Sequence, residues 1–416
     1  MVGYALYYVI RKNLSIAMPL LGDVGISKVQ LGTFLTCGGI VYGVGRFLNG
    51  IVADRNSARK VMALGLVLCA LVNVAFGCLP AIAWAMGLLW IVNSYFQGMG
   101  VGPCIKTLPQ WFPPEELSTK QSIWNLSHSL GAGAVFALCG WFLIPAFHSW
   151  RLCFVVPAAI ALVGAAAILF LFKDAPSDLG FPAVLTTSAK PLETAEEKAA
   201  YKAYVREHVF RNSRVWTIAV ADFFVYTVRF AALDWGIVLL METKGLSLAQ
   251  ATTLCFTIEI IGGNCGMVVA GWATDRFFGS RAHRTSVFCM LGAVLSIAVF
   301  WLVPESAPLG AKLLPFMAIG FFIYGPQALL GVATTQQATP RAAGVAGGFV
   351  GVFSYASTVL SGIGFGFIAQ RWGWFAAYAT MLLAAFFGGV VLLVIWRDAE
   401  TDQNIFDDER CESVGT

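Results

Sequence analysis

The chain has 416 residues, 58% of them hydrophobic and 12% charged, about half the charged fraction of an ordinary soluble domain, and its mean hydropathy is +0.74. Such an apolar excess excludes a soluble core, and 43 Gly and 16 Pro spread without period exclude collagen-like and disordered chains. A net charge of +4 with no basic block leaves nucleic acid no footprint, so the lipid bilayer is the expected solvent and first partner.

A bilayer core of about 30 Å takes roughly 20 apolar residues per helix. Twelve such runs are predicted, at 1–21, 31–53, 60–80, 84–108, 121–146, 150–172, 215–240, 250–273, 285–304, 312–337, 342–368 and 374–396. The longest polar interval, 173–214, divides six from six. The expected fold is therefore all-α and integral to the membrane: twelve transmembrane helices in two pseudo-symmetric six-helix bundles, 1–172 and 215–396. Residues 173–214 become a partly helical cytoplasmic linker and 397–416 a cytoplasmic tail. Seventeen Lys and Arg fall on the side of the termini and the linker, against Lys28, Arg151, Lys244, Lys312 and Arg371 on the other; the positive-inside rule then makes the first side cytoplasmic. Ten Cys occur without a CxxC pair or a neighbouring His cluster. They read as small reduced residues, with no metal site and no cofactor expected.

In chain order, the first span carries Arg11 and Lys12 in its middle, which excludes a signal peptide. The run GYALYYVIRKN (3–13) sets Tyr4, Tyr7, Tyr8 and Arg11 at spacings of three and four, so their polar tips are expected on one face. Lys12 points away from Arg11. Span 2 holds Arg46, which supplements an anion site or lines the cytoplasmic vestibule, and ends in GIVADRNSARK (50–60) with Asp54, Arg55 and Arg59. Span 4 contains the pair Gly102-Pro103. Span 5 carries His128 in IWNLSHSLGAG (123–133), a hydrogen-bond donor or proton holder in an anion site, or else a neutral imidazole bonded to a backbone carbonyl. Asn125, one turn earlier, suits sugar hydroxyls. In span 7 stands Arg229, with Asp222 seven residues before it and Asp234 five after; span 8 holds Glu259 and ends in GWATDRFFGSRAHR (271–284) with Asp275 and Arg276. Span 10 repeats the Gly-Pro pair at Gly325-Pro326.

Asp54 corresponds to Asp275, Arg11 to Arg229 and Gly102 to Gly325 at offsets between 218 and 223. Three landmarks near one offset predict two parallel six-helix repeats, the arrangement of alternating-access transporters whose site lies between repeats. Arg11 and Arg229 then sit near the midplane in corresponding positions. A charge at that depth costs about 2.5–3.5 kcal/mol and is functional by default. Two arginines there suit an anion, and phosphate above others, because the planar guanidinium offers paired donors to two oxygens. The competing reading neutralises Arg229 with Asp222 or Asp234 and Arg11 with Glu259. Each Asp-Arg loop motif resembles the signature of the major facilitator superfamily, where the acid at a helix end makes charge-assisted contacts with neighbouring helices in one access state; topology anchoring by positive charge is the plainer role.

Taken together, YYVIRKN, GIVADRNSARK, QGMGVGPCIKTLPQWF (97–112), IWNLSHSLGAG, VADFFVYTVRFAALDWG (220–236) and IEIIGGNCGMVVAGWATDRFF (258–278) resemble the organophosphate:phosphate antiporters. That family includes glycerol-3-phosphate and hexose-6-phosphate transporters and a hexose-phosphate sensor. The resemblance covers essentially the whole chain. It implies a major facilitator fold that exchanges an organic phosphate for inorganic phosphate, with Arg11 and Arg229 at the paired phosphate-binding positions and His128 at the cavity histidine. Arg46 stands where some members have Lys. Tyr8, Tyr4 and Asn125 complete the expected substrate set, and Asp54, Arg55, Arg59, Asp275 and Arg276 the gating set. Asp222, where Asn is usual, and Phe230, where Tyr is common, depart from the pattern, and the run IEIIGGNCG leans toward the hexose-phosphate members. Two other functions remain open: a sensor of sugar phosphate with a kinase partner, and a proton-coupled organic anion symporter using Glu259, Asp222 or His128. No nucleophile-base pair or P-loop motif points to an enzyme or an ATPase. The expected location is a bacterial inner membrane.

Overall fold

The computed structural model describes residues 1–112, 114–181, 195–338 and 342–397. Linker residues 182–194, Arg341 and the tail beyond 397 lie outside the described residues. Everything described is helix or connecting turn.

The first span is α1 (Val2–Val9) and α2 (Asn13–Asp23), interrupted at 10–12; the second and third are α3 (Lys28–Arg55) and α4 (Ala58–Cys78). The fourth is α5 (Ala83–Gln97) and α6 (Val101–Trp111), interrupted at 98–100 around two glycines. The fifth, α7 (Pro114–Val135), runs through a wide-wound stretch Phe136–Leu143 into α8 (Ile144–Phe147), and α9 (Leu152–Leu171) is the sixth. In the linker lies α10 (Ala195–Val205). The seventh span is α11 (Ser213–Asp234) and α12 (Gly236–Lys244), and the eighth is α13 (Leu248–Thr257) and α14 (Asn264–Phe277) around the wide-wound Ile258–Gly263. The ninth and tenth are α15 (Ala282–Leu302) and α16 (Leu309–Ala338). The eleventh runs from α17 (Ala343–Ala356) through the wide-wound Val359–Gly364 into the first part of α18 (Phe365–Leu393), and within α18 Gly373 at φ 78° turns the chain into the twelfth, a conformation that glycine adopts without a Cβ clash.

Among the described residues nine helical stretches are long and apolar enough to cross a membrane. One of them, Val345–Leu393, holds two spans, and the interrupted first and fourth spans are too short piecewise to qualify. The count is therefore twelve. The repeat extends to helix caps: Ser27 N donates to Gln30 Oε1 at 2.9 Å and Gln30 N to Ser27 Oγ at 3.2 Å, and Ser247 and Gln250 make the same pair of bonds at 3.0 and 3.3 Å. Each capping box satisfies orphan N–H groups at the start of the second helix of its repeat. Large apolar side chains such as Phe47, Val163, Phe170 and Leu302 are exposed on the spans, as lipid-facing residues are.

The chain packs as two compact units that cut across the repeats. The first comprises Met1–Ser188, Ala231–Ile260 and Thr358–Trp374; the second comprises Ala189–Phe230, Ile261–Ser357 and Phe375–Thr416. Within the first unit, second-repeat segments are tied to first-repeat helices. Lys12 Nζ lies 2.5 Å from Asp234 Oδ1, with Ser15 Oγ at 3.4 Å from the same oxygen. Lys28 Nζ lies 2.6 Å from Glu242 Oε2, which also accepts from Trp374 Nε1 at 2.8 Å. Thr36 Oγ1 donates to Thr358 O at 2.7 Å and accepts from Ile363 N at 2.8 Å, and Gly32 approaches so closely that a Cβ would sit 2.5 Å from Gly362 O. Small residues let backbones meet in this way where lipid offers no hydrophobic drive between helices. In the second unit α14, α15 and α16 pack together, with Gly266 against the Phe321 carbonyl and Gly325 against Ala270 and Cys289.

Lys12 and Asp234 are both mostly buried, at 9% and 15% side-chain exposure. Removing one charge strands the other, so Lys12→Met is expected to destabilise the detergent-solubilised protein by about 3–5 kcal/mol, read as a lowered melting temperature. Adding Asp234→Leu should recover most of that loss; additive losses would contradict the pairing.

Candidate functional site

In the first unit Arg11 occupies the interruption of span 1. Its guanidinium carbon lies 3.9 Å from the centroid of Tyr42 on α3 and 5.4 Å from that of Tyr8. A cation over a tyrosine face is attracted by the ring quadrupole, more strongly when water is excluded, and Tyr42 is buried. Tyr4 and Tyr8 meet edge to face at 5.4 Å; Tyr4 packs on Trp124 at 4.9 Å, and Tyr8 lies 5.6 Å from the His128 ring. Tyr4, Tyr8, Arg11 and His128 are thus brought together, with Tyr42 and Trp124 beneath them.

Tyr7 departs from the expected shared face. Its hydroxyl donates to Met62 O at 2.8 Å, and its ring is buried among Ile10, Ala63 and Leu66. It follows Tyr4 by three residues but precedes Tyr8 by one, about 100° round the helix, and that rotation turns it into the bundle.

His128 Nδ1 faces the carbonyl oxygen of Asn125, so that nitrogen carries the proton and donates, while Nε2 lies 3.4 Å from Ser129 Oγ. The histidine is buried, whereas Asn125 and Arg46 are exposed. Arg46 stands one turn beyond Tyr42 on α3. Glu259 is buried, and neither of its carboxylate oxygens has a hydrogen-bond partner among the described residues.

In the second unit Arg229 is 7% exposed. Its Nη2 lies 3.5 Å from Tyr324 Oη, and its guanidinium carbon lies 5.0 Å from the Tyr324 ring centroid and 5.7 Å from those of Tyr226 and Phe230. The carboxylates considered as its neutralising partners have other contacts: Asp234 pairs with Lys12, and Asp222 accepts a short hydrogen bond from Ser354.

Of the loop motifs, the side chain of Asp54 lies outside the described residues. Arg55 is exposed, and at Arg59 it is the backbone N–H that donates, to Asp174 Oδ1 at 2.8 Å. The end of α3 is capped by Lys106, which donates to Ala53 O at 2.9 Å and Asn56 O at 2.8 Å, a cation on the negative end of a helix dipole. In the second motif Asp275 accepts from Ser280 Oγ at 3.0 Å across a turn in which Gly279 and Ser280 both have positive φ, Gln336 donates to Ser280 O at 2.9 Å, and Arg276 is exposed.

Sequence reasoning missed Tyr42, Tyr226 and Tyr324. The available signals were spacing alone: Tyr42 four before Arg46, Tyr226 three before Arg229, and Tyr324 just ahead of the Gly325-Pro326 pair. Lys106 stood out as a basic residue within a span, without its role as a cap.

Residues 1–362 match the family model of the Major Facilitator Superfamily. The chain belongs to the major facilitator superfamily. It is 34% identical over 412 residues to a glycerol-3-phosphate transporter of Bacillus subtilis, covering 97% of this chain and 92% of that protein. It is 32% identical to a probable hexose phosphate transport protein of Chlamydia muridarum, over 96% and 90% of the two chains, and 32% identical to the membrane sensor protein UhpC of Escherichia coli, over 94% and 89%. Its family within the superfamily is the organophosphate:phosphate antiporter family, a group of multi-pass membrane transporters and not enzymes. Among solved structures it resembles a bacterial homologue of the human lysosomal transporter Spinster, with TM-score 0.73 at 16% identity over 98% and 96% of the two chains. It also resembles the nucleoside transporter NupG, with TM-score 0.75 at 13% over 95% and 98%. At those identities the likeness is one of fold.

The Tyr42 ring is expected to matter through its face. Tyr42→Phe, which keeps the ring against Arg11, should lower the stability of the purified chain less than Tyr42→Leu, which should cost roughly 1–2 kcal/mol of desolvated cation–π attraction. Thermal unfolding of the detergent-solubilised chain checks this; equal losses in both variants would assign the role to the hydroxyl.

Proposed function

We propose that this chain is a secondary transporter that exchanges an organic phosphate, a hexose phosphate or glycerol-3-phosphate, for inorganic phosphate by alternating access. Arg11 and Arg229, one from each repeat, take the phosphoryl group. The observation that supports this best is that the corresponding arginine of each repeat lies against a tyrosine face, Arg11 on Tyr42 from the second span of its repeat and Arg229 on Tyr324 from the fourth span of its own. A lipid-embedded protein that places guanidinium groups this way twice, at corresponding positions, is suited to an anion with several oxygens. A phosphate monoester carries about −1.5 to −2 charge near neutral pH, enough to offset most of both arginines.

Tyr4, Tyr8, His128, Asn125 and Arg46 complete the substrate set, the histidine as a neutral ring held by the Asn125 carbonyl and Asn125 toward the organic moiety. Asp54, Arg55, Arg59, Asp275 and Arg276 act at the cytoplasmic ends of the spans, where helix-end contacts differ between access states. Exchange follows from charge. Two like charges resist approach of the repeats when no anion is bound, and a bound phosphate removes that resistance, so reorientation occurs in the loaded state. The phosphate gradient supplies the energy. The protein lies in the inner membrane with both termini in the cytoplasm, as the Lys and Arg distribution supports. The relatives that support the substrate class carry glycerol-3-phosphate, hexose phosphate and phosphoglycerate in their names.

Two observations favour other readings. The similarity to UhpC supports a sensor that binds sugar phosphate and signals to a kinase partner. Buried Glu259, with both oxygens unpartnered among the described residues, supports proton-coupled symport of an organic anion.

In liposomes loaded with phosphate, the wild-type chain is expected to exchange labelled phosphate for external hexose-6-phosphate or glycerol-3-phosphate. Arg11→Lys or Arg229→Lys should lower the rate at least 100-fold, because Lys keeps the charge but loses the two-pronged donor geometry. Robust exchange by either variant would refute the bidentate assignment. Binding without flux would favour the sensor, and substrate-driven proton movement without phosphate counterflow the symporter.

A further inference from the structure

The interruption of span 1 is not caused by the usual breakers. Residues 10–12 are Ile10, Arg11 and Lys12, with neither Gly nor Pro among them, and helix kinks ordinarily have an identifiable local cause. Here the cause lies in other spans. The Ile10 carbonyl oxygen, at the end of α1, is approached by Asn73 Nδ2 from α4 at 3.4 Å, by Asn93 Nδ2 from α5 at 3.5 Å and by Gln97 Nε2 from α5 at 3.3 Å. A carbonyl has two lone pairs, so three donors share it at long range.

The amides are also bonded to one another. Asn73 Nδ2 donates to Asn93 Oδ1 at 3.0 Å and to Cys69 O at 2.9 Å; Asn13 Nδ2, at the start of α2, donates to Asn73 Oδ1 at 2.8 Å and to Cys153 O on α9 at 3.1 Å. All four side chains are 3% exposed or less. The network thus pins both sides of the interruption: Ile10 at the end of one helical piece and Asn13 at the start of the next. Four buried amides beside Leu66, Cys69 and Ala70 are a costly way to fill space that an apolar residue could occupy, and a connected polar network rigidifies the groups it joins.

We infer that Asn13, Asn73, Asn93 and Gln97 are positioning residues. They hold the backbone of span 1 open at Ile10, and so fix the direction in which Arg11, the next residue, reaches the Tyr42 face and its anion. If the Ile10 carbonyl were released to bond along its own helix, rewinding would turn Arg11 by about 100° for each residue recovered. The inference rests on Arg11 as a phosphate ligand.

The test measures inorganic phosphate affinity and melting temperature on the purified full chain, for Gln97→Met and Asn93→Leu, each made in the wild type and in an Arg11→Ala background. Positioning through Arg11 predicts a loss of about tenfold in affinity in the wild-type background and less than twofold once Arg11 is absent, the signature of coupled residues. Unchanged affinity, or the same loss in both backgrounds, overturns it, since a merely structural network would shift melting without caring about Arg11. Should Asn93→Leu fail to fold, Gln97→Met, which removes one shared donor and keeps the side-chain length, decides alone. A wild-type chain that binds no phosphate overturns the proposed function itself, before any amide variant is considered.

Discussion

Holding a guanidinium group inside a membrane is the constraint around which the rest of this protein is arranged. At bilayer depth the group cannot shed its proton and has little water to turn to. Both arginines are accordingly set among aromatic faces, which attract a cation without neutralising it. Asp234 serves Lys12 and Asp222 accepts from Ser354.

The same economy explains the two compact units. Segments 231–260 and 358–374 of the second repeat pack with the first repeat through ion pairs and backbone-level contacts. They are the ends that the charge distribution assigns to the non-cytoplasmic side. Lys12, one residue from Arg11, belongs to this seam, so the arginine proposed as an anion ligand and the contact joining the repeats share a few residues of span 1. The amides at Ile10 lie at the same place, which makes the interruption of that span the meeting point of the proposed site and the packing.

Much of this was legible in the sequence. Hydropathy marked the twelve spans, and the offset between Asp54 and Asp275 marked the repeat, because both signals are local and linear. Arg11 and Arg229 stood out as charges in apolar runs. The aromatic partners did not: in a chain with 32 Phe and 11 Tyr, Tyr42 or Tyr324 carries no mark distinguishing a cation's seat from ordinary packing. Tyr7 was misplaced because spacings of three and four were treated as one face, although side chains 100° apart around a helix part company. The interruption of span 1 was invisible for a deeper reason. The groups at that place are Asn73, Asn93 and Gln97, three amides that only tertiary packing brings to one carbonyl, with Asn13 joined to them through Asn73. The side chain of Lys12 found Asp234 more than two hundred positions away, a pairing that no periodicity encodes.

The close approach of Gly32 to the Gly362 carbonyl, with Thr36 bonded to both Thr358 O and Ile363 N beside it, bears on how these segments of the two repeats are joined. Hydroxyl and main-chain groups at such short range have little elastic travel, unlike the long side chains of Lys12 and Lys28 that join the same segments through ion pairs. A seam of this kind has no room for one more carbon: alanine at position 32 would force the two backbones apart or break the paired hydrogen bonds of Thr36.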